Sequence, residues 1–231
     1  QRPAEVRVWA RGGDSTHMEL RHLATIIEWK PHLVILGICL NDTEDPMNIE
    51  EYRRWRVRAL PPPPPPWLAK ILSHTRAGAW IYEKIAAVKA RRGYLAYYRK
   101  LYDKDYRGWK LFVQAIRRFH RVCRNREIAF VPVIFPLFSD VDRYPFDWVH
   151  AQIGAVLQEE GIVFLDLLES FRGQSPGRLQ AIPSVDAHPN EIAHRQAAEA
   201  IFEFLLANKI VDAGYLPEHA NASPERMWGL L

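Results

Sequence analysis

An apolar run early in the chain limits the choice of fold more than any other feature. Residues 31–42 read Pro-His-Leu-Val-Ile-Leu-Gly-Ile-Cys-Leu-Asn-Asp. A continuous run of this length, ending in polar residues, predicts a buried strand of a parallel sheet. In open α/β sheets, ligands bind at the carboxyl ends of such strands. Asn41 and Asp42 are therefore predicted to lie at the edge of the sheet where a site would form.

The remaining core pattern alternates strands with helices. Strands are predicted at residues 5–11, 128–136 and 162–167, with Pro132 disturbing the pairing of the second. Helices are predicted from Met18 to Trp29, over 109–124, and from an Asp147 cap to Gly161. This alternation predicts a parallel sheet with right-handed crossovers. The length of 231 residues suits one such domain.

Residues 43–108 depart from this pattern and are interpreted as an insertion. Pro61–Pro66 predict a stiff polyproline II spacer, favoured over an SH3-type ligand. Residues 67–90 predict amphipathic helices broken at Gly78, and an aromatic stripe runs from Tyr94 to Trp109. Packing within a helical hairpin is the favoured interpretation of these aromatics. A lid over an active site, or a surface for a membrane or a protein partner, is the alternative.

Composition excludes several classes of partner. The 31 basic and 27 acidic residues give a net charge of only +4, so no nucleic-acid partner is predicted. The arginines near the end of the 109–124 helix are interpreted as a solvated face. Cys39 and Cys123 have no disulfide or metal spacing, and the Glu191-x-x-His194 pair has no second copy. Neither a metal nor a cofactor is expected, and residues 209–231 are predicted to form an irregular tail.

The strongest chemical signal is Asp186-Ala187-His188-Pro189-Asn190. Pro189 biases His188 towards extended backbone, and Asn190 is placed to cap the helix that follows. A carboxylate beside an imidazole can hold its tautomer and stabilise the imidazolium. Asp186 and His188 are therefore predicted to form the acid–base half of a hydrolase triad.

The early strand-Gly-x-x-x-Asn-Asp block and the late Asp-x-His-Pro-Asn block together resemble the SGNH (GDSL-type) hydrolase and esterase superfamily, over about residues 5–208. The resemblance implies a single domain, a three-layer α/β/α sandwich with a flavodoxin-like parallel sheet. It also implies a serine hydrolase acting on small-molecule or carbohydrate-linked carboxylic esters. In that family, Asn41 would donate to the oxyanion, and Asp186 and His188 would complete the triad.

The position of the nucleophile is the open point of this resemblance. Gly13-Asp14-Ser15 spells the motif that names the family, but only 22 residues separate Ser15 from Gly37. That length accommodates one helix and no intervening strand. The segment therefore resembles the family's second block, with Gly13 as an oxyanion-hole glycine, Ser15 as a helix cap, and the nucleophile upstream of Gln1. Ala10 stands where the family usually has a glycine. The alternative is that Ser15 is the nucleophile and the first crossover is shortened.

Two further function classes share these features. One is acyl transfer at the same site when water is excluded. The other is a catalytically silent binding module that uses the Pro-rich and aromatic insertion for a partner. Asp166, at the end of the last predicted strand, is a secondary candidate for polarity near the site.

Overall fold

A computed structural model of the chain describes residues 4–45, 64–68, 76–183 and 186–212. The chain forms two compact units, which we call the sheet unit (Gln1–Gly13, Arg21–Cys39 and Phe119–Leu231) and the helical unit (Asp14–Leu20 and Leu40–Arg118). Pro61–Pro63 of the predicted proline-rich segment and residues 213–231 of the predicted tail lie outside the described residues.

The described residues include the helices α1 (Thr16–Glu19), α2 (Leu23–Glu28), α3 (Arg76–Leu101), α4 (Arg107–Arg124), α5 (Asp147–Glu159), α6 (Leu168–Phe171), α7 (Pro176–Leu179) and α8 (Glu191–Ala207), with a 3₁₀ turn at Leu20–His22 between α1 and α2. The described residues contain no helix long and apolar enough to cross a membrane.

The sheet unit contains a parallel sheet, as predicted. Its described strands are β1 (Leu33–Cys39), β2 (Ala129–Phe135) and β3 (Leu165–Asp166), in the order β1-β2-β3. The ladder between β1 and β2 runs without a shift past Pro132, so the predicted irregularity there was wrong. A proline in a strand removes one ladder donor, but the pairs on either side hold the register. The chain is thus a mixed α/β protein.

The prediction that the strand at 31–42 is buried was wrong for one of its faces. Val34, Leu36 and Ile38 are buried, whereas the alternate residues Ile35 and Cys39 are exposed. Successive side chains of a strand point to opposite faces, so one face of β1 packs and the other is uncovered. An apolar run cannot distinguish these cases, because Ile35 remains apolar whether or not a neighbour covers it.

The strand predicted at residues 5–11 is absent, although these residues are described. Val6 and Val8 are 83% and 81% exposed, and Arg7 instead lies over the ring of Trp29, 3.1 Å from its centroid. Alternation of β-branched residues becomes a strand only when a neighbouring strand supplies hydrogen-bond partners.

The predicted helices need smaller corrections. The helix expected from Met18 to Trp29 is divided by the 3₁₀ turn, and α3 runs through Gly78 without a break. One glycine in a helix costs about 1 kcal/mol relative to alanine, which packing further along the helix can offset. The residue before α5 is Phe146, so the cap predicted at Asp147 was wrong. The predicted end of the helix at Gly161 is confirmed, and this glycine has a φ of 66°.

Aromatic packing fills the cores of both units. In the sheet unit, Phe119 of α4 stacks on Phe130 of β2 with ring centroids 6.0 Å apart. In the helical unit, Trp109 stacks on Phe112, and the buried Tyr102 donates to the carbonyl of Leu40 at 2.9 Å. Much of the predicted aromatic stripe is therefore core packing, as favoured.

Candidate active site

The Asp186–His188 pair lies in a short antiparallel hairpin of the sheet unit, formed by β4 (Gln180–Ile182) and β5 (Asp186–Pro189). Residues two apart in a strand point to the same face, which brings the carboxylate and the imidazole together. Asp186 Oδ1 accepts from the His188 backbone N–H at 3.0 Å and lies 2.5 Å from His188 Nδ1. This arrangement orients the ring and leaves its Nε2 for chemistry.

The charge state of Asp186 suits this role. Donation from the backbone N–H of His188, and then from its ring, holds the pKa of the Asp186 carboxyl below its usual range. The group is therefore a carboxylate at neutral pH and can stabilise an imidazolium on His188.

Asn190 fixes the end of the hairpin, and its predicted role as a cap is confirmed. Its Oδ1 accepts from the backbone N–H groups of Ile192 and Ala193 at 3.0 and 3.1 Å. Its Nδ2 donates to the carbonyls of Arg178 and Gln180 at 2.8 and 3.2 Å. One side chain thus ties α8 to the base of the hairpin.

Ser15 lies in the helical unit, directly before α1. The Ser15 carbonyl accepts from Met18 N–H at 2.8 Å, but the Ser15 side chain makes no capping bond. Its Oγ is instead 3.0 Å from Nδ1 of His17, and the serine is only 4% exposed. The structure therefore places Ser15 at a cap position and gives its hydroxyl a histidine partner.

His17 is a residue that sequence reasoning missed. Burial lowers the pKa of its imidazole, against the opposing influence of Asp45, so the ring is neutral at pH 7. A neutral imidazole can accept the proton of a serine hydroxyl. The signal in the sequence was the Ser-x-His spacing, which resembles the spacing of Asp186 and His188.

The loop after β1 carries the predicted oxyanion donor. Asn41 is exposed, and its carbonyl accepts from Glu44 N–H at 2.9 Å. The next residue, Asp42, is buried and accepts from Thr16 Oγ1 at 2.9 Å. Asp45 at the end of the loop pairs with Arg107 at 3.1 Å. These contacts fix the loop that presents Asn41.

Gly13 ends the first segment of the sheet unit. It is exposed, with φ of 83°, in the left-handed region that favours glycine. The structure thus joins Asp186 to His188 and Ser15 to His17. The oxyanion roles of Gly13 and Asn41 stay predictions.

Removing the donor to Asp42 tests how firmly this loop is held. We expect Thr16→Val to lower the free energy of unfolding by about 1–3 kcal/mol, because a buried carboxylate loses a hydrogen-bond donor while side-chain volume is kept. Chemical denaturation measures the change. Thr25→Val, at an exposed position of α2, is the matched control and should change stability by about 0.5 kcal/mol or less. Equal effects of the two substitutions would contradict a stabilising role for the hydrogen bond from Thr16 to Asp42.

No family model matches the chain, and comparisons with curated proteins and with solved structures also gave no match. Among the described residues, no group of three or more His, Cys, Asp or Glu side chains is arranged to hold a metal ion.

Proposed function

We propose that the protein is a serine hydrolase of the SGNH type that acts on carboxylic esters, with a three-layer α/β/α fold. The observation that carries the proposal is the Asp186–His188 pair, in which one carboxylate oxygen contacts both the ring and the backbone of the histidine. A serine hydroxyl attacks the ester carbonyl while His188 Nε2 takes its proton. His188 then protonates the leaving alcohol, and a water molecule repeats the sequence to release the acid.

The oxyanion of the tetrahedral intermediate needs hydrogen-bond donors. The Asn41 side-chain amide and the Gly13 backbone N–H are proposed for this role. Losing one such donor typically costs about 100- to 1,000-fold in turnover. Asn41 follows β1, on a loop anchored by the buried Asp42, so its amide is carried on fixed backbone.

Two serines are candidates for the nucleophile. The first, implied only by the SGNH resemblance, is a serine that would precede Gln1. The second is Ser15, whose contact with the neutral His17 supports activation in place.

Hydrolysis is favoured over acyl transfer by the exposure of the base. The His188 side chain is 86% exposed, so water reaches its Nε2 readily. Transfer to another alcohol requires that water be kept from this position. Partition of a labelled ester between free acid and transfer product, measured with added glycerol, separates the two reactions.

Fluorophosphonate labelling of the full-length protein, with mass spectrometry to locate the adduct, tests the proposal directly. We expect one labelled serine whose modification is lost in His188→Ala, because an unactivated hydroxyl reacts slowly. Labelling upstream of Gln1 identifies the first candidate, and labelling of Ser15 identifies the second. A Ser15 adduct lost only in His17→Ala would assign the base to His17 and remove His188 from the mechanism. The absence of any adduct on the folded protein would overturn the hydrolase proposal.

A further inference from the structure

A buried histidine of the sheet unit forms a chain of hydrogen bonds that the proposed reaction does not use. His150 of α5 has a side chain only 3% exposed. Its Nδ1 lies 2.8 Å from Asp166 Oδ1, and its Nε2 lies 2.8 Å from the hydroxyl of Tyr144. We call Asp166, His150 and Tyr144 the histidine relay. All three residues belong to the sheet unit.

Both ends of the histidine relay are anchored to backbone. Asp166 is the last residue of β3, and its Oδ1 also accepts from the N–H of Leu168 at the start of α6. The Tyr144 hydroxyl accepts from the N–H of Leu137 at 3.1 Å. Leu137 lies just after β2, so the relay joins the carboxyl ends of two neighbouring strands. Buried polar groups that are satisfied in this way hold their surroundings in one arrangement.

The segment held by the histidine relay in turn holds the catalytic hairpin. The carbonyl of Phe138, next to Leu137, accepts from Gln180 Nε2 at 3.0 Å. Gln180 is 6% exposed, begins β4 and pairs with Pro189 of β5. The Gln180 carbonyl also accepts from Asn190. A continuous set of contacts therefore runs from the sheet to Pro189 and Asn190, the two residues that follow His188.

The ring of Phe138 adds packing to the same connection. It meets the ring of Phe171 edge to face, with centroids 4.9 Å apart, and both side chains are buried. The Phe138 carbonyl is thus fixed by packing on one side and by the relay-anchored Leu137 on the other. Displacing this carbonyl by a fraction of an ångström would lengthen its bond to Gln180.

We propose that His150 is a positioning residue for the hydrolytic site: the histidine relay fixes residues 137–138, and these fix the hairpin that carries Asp186 and His188. The hairpin is also held by its own short ladder and by the Asn190 contacts. Small displacements of a catalytic base lower turnover strongly without changing substrate affinity to the same extent. This inference rests on the proposed function for its catalytic consequence, but its structural content can be tested separately.

The test is hydrogen exchange on Tyr144→Phe, which removes the hydroxyl and keeps the ring. We expect the backbone amides of β4, β5 and Asn190 to exchange about tenfold faster, while those of α4 keep their wild-type rates. Tyr102→Phe, which also removes a buried tyrosine hydrogen bond but in the helical unit, is the matched control and should leave hairpin exchange unchanged. If Tyr144→Phe does not fold, His150→Asn replaces it, since the shorter amide can still reach Asp166 but not Tyr144.

Steady-state kinetics of the full-length protein complete the test. We expect kcat of Tyr144→Phe to fall about tenfold with KM nearly unchanged. Exchange that rises equally across the sheet unit, or that does not rise in the hairpin, would overturn the positioning role. Faster hairpin exchange with unchanged kcat would also overturn it. If the wild-type protein hydrolyses no ester, the proposed function fails while the exchange measurement still decides whether the relay holds the hairpin.

Discussion

Replacing His188 by alanine is expected to lower kcat/KM of the full-length protein on a short-chain p-nitrophenyl ester by about 10²- to 10⁴-fold. The imidazole is proposed to take the proton of the attacking serine and return it to the leaving alcohol, and alanine can do neither. The fold should be unaffected, because the His188 side chain is 86% exposed and packs against little else. Initial rates and circular dichroism on the same samples measure both effects.

His194→Ala is the matched control for this prediction. His194 is also exposed and lies in the first turn of α8, six positions further along the chain. Its substitution should leave kcat/KM within about twofold of the wild type. A His188→Ala protein that retains more than about a third of wild-type activity would remove His188 from the reaction.

The second large effect is expected in stability. Gly108→Ala should lower the free energy of unfolding by about 3 kcal/mol or more. Gly108 is the second residue of α4, and a Cβ there would overlap the carbonyl oxygen of Thr43 and lie 2.6 Å from Cε1 of Tyr106. Because the first of these is a backbone atom, the clash cannot be relieved by rotating a side chain. The loop that presents Asn41 would have to move.

Gly177→Ala provides the comparison, since Gly177 is also the second residue of a helix, α7. A Cβ there would meet only Pro183 Cβ at 3.7 Å, an ordinary contact. Alanine is intrinsically better than glycine in a helix, so this variant should be as stable as the wild type or slightly more stable. Thermal unfolding of both variants makes the measurement. A Gly108→Ala protein as stable as Gly177→Ala would show that the Thr43 loop is free to adapt.

The parallel sheet could be predicted from the sequence because its strands are dense apolar runs between helices. Whether another element covers both faces of β1 could not be predicted, because the identity of a residue such as Ile35 does not reveal what packs against it. The segment around Val6 and Val8 shows the opposite error, because its alternation favours a strand only when a neighbour is present. The length of β3 was overestimated for the same reason. A strand is predicted over residues 162–167, but the ladder with β2 contains only the pairs at Val133 and Ile134.

The candidate site likewise contains some contacts that the local sequence predicts and others that it does not. Asp186 and His188 are two positions apart, so strand geometry alone predicts their contact. The Asn190 cap follows equally from local sequence. His150 and Asp166, by contrast, meet only because α5 packs beside the end of β3, and no local pattern encodes that contact. Ser15 and His17 are also two positions apart, but they stand at the start of a predicted helix, where that spacing predicts no side-chain contact.

The pairing of β1 with β2 has a consequence for how this protein can diversify. Leu33 pairs with Ala129 and Cys39 with Phe135, so each partner lies 96 residues further along the chain. The free-energy cost of closing so long a loop changes by only about 0.6 kcal/mol when its length doubles. A slip of one residue within the ladder, however, would turn every buried side chain outward. Loop closure therefore constrains the length of the segment between the two strands only weakly, whereas an insertion within either strand would disturb the register of the whole ladder.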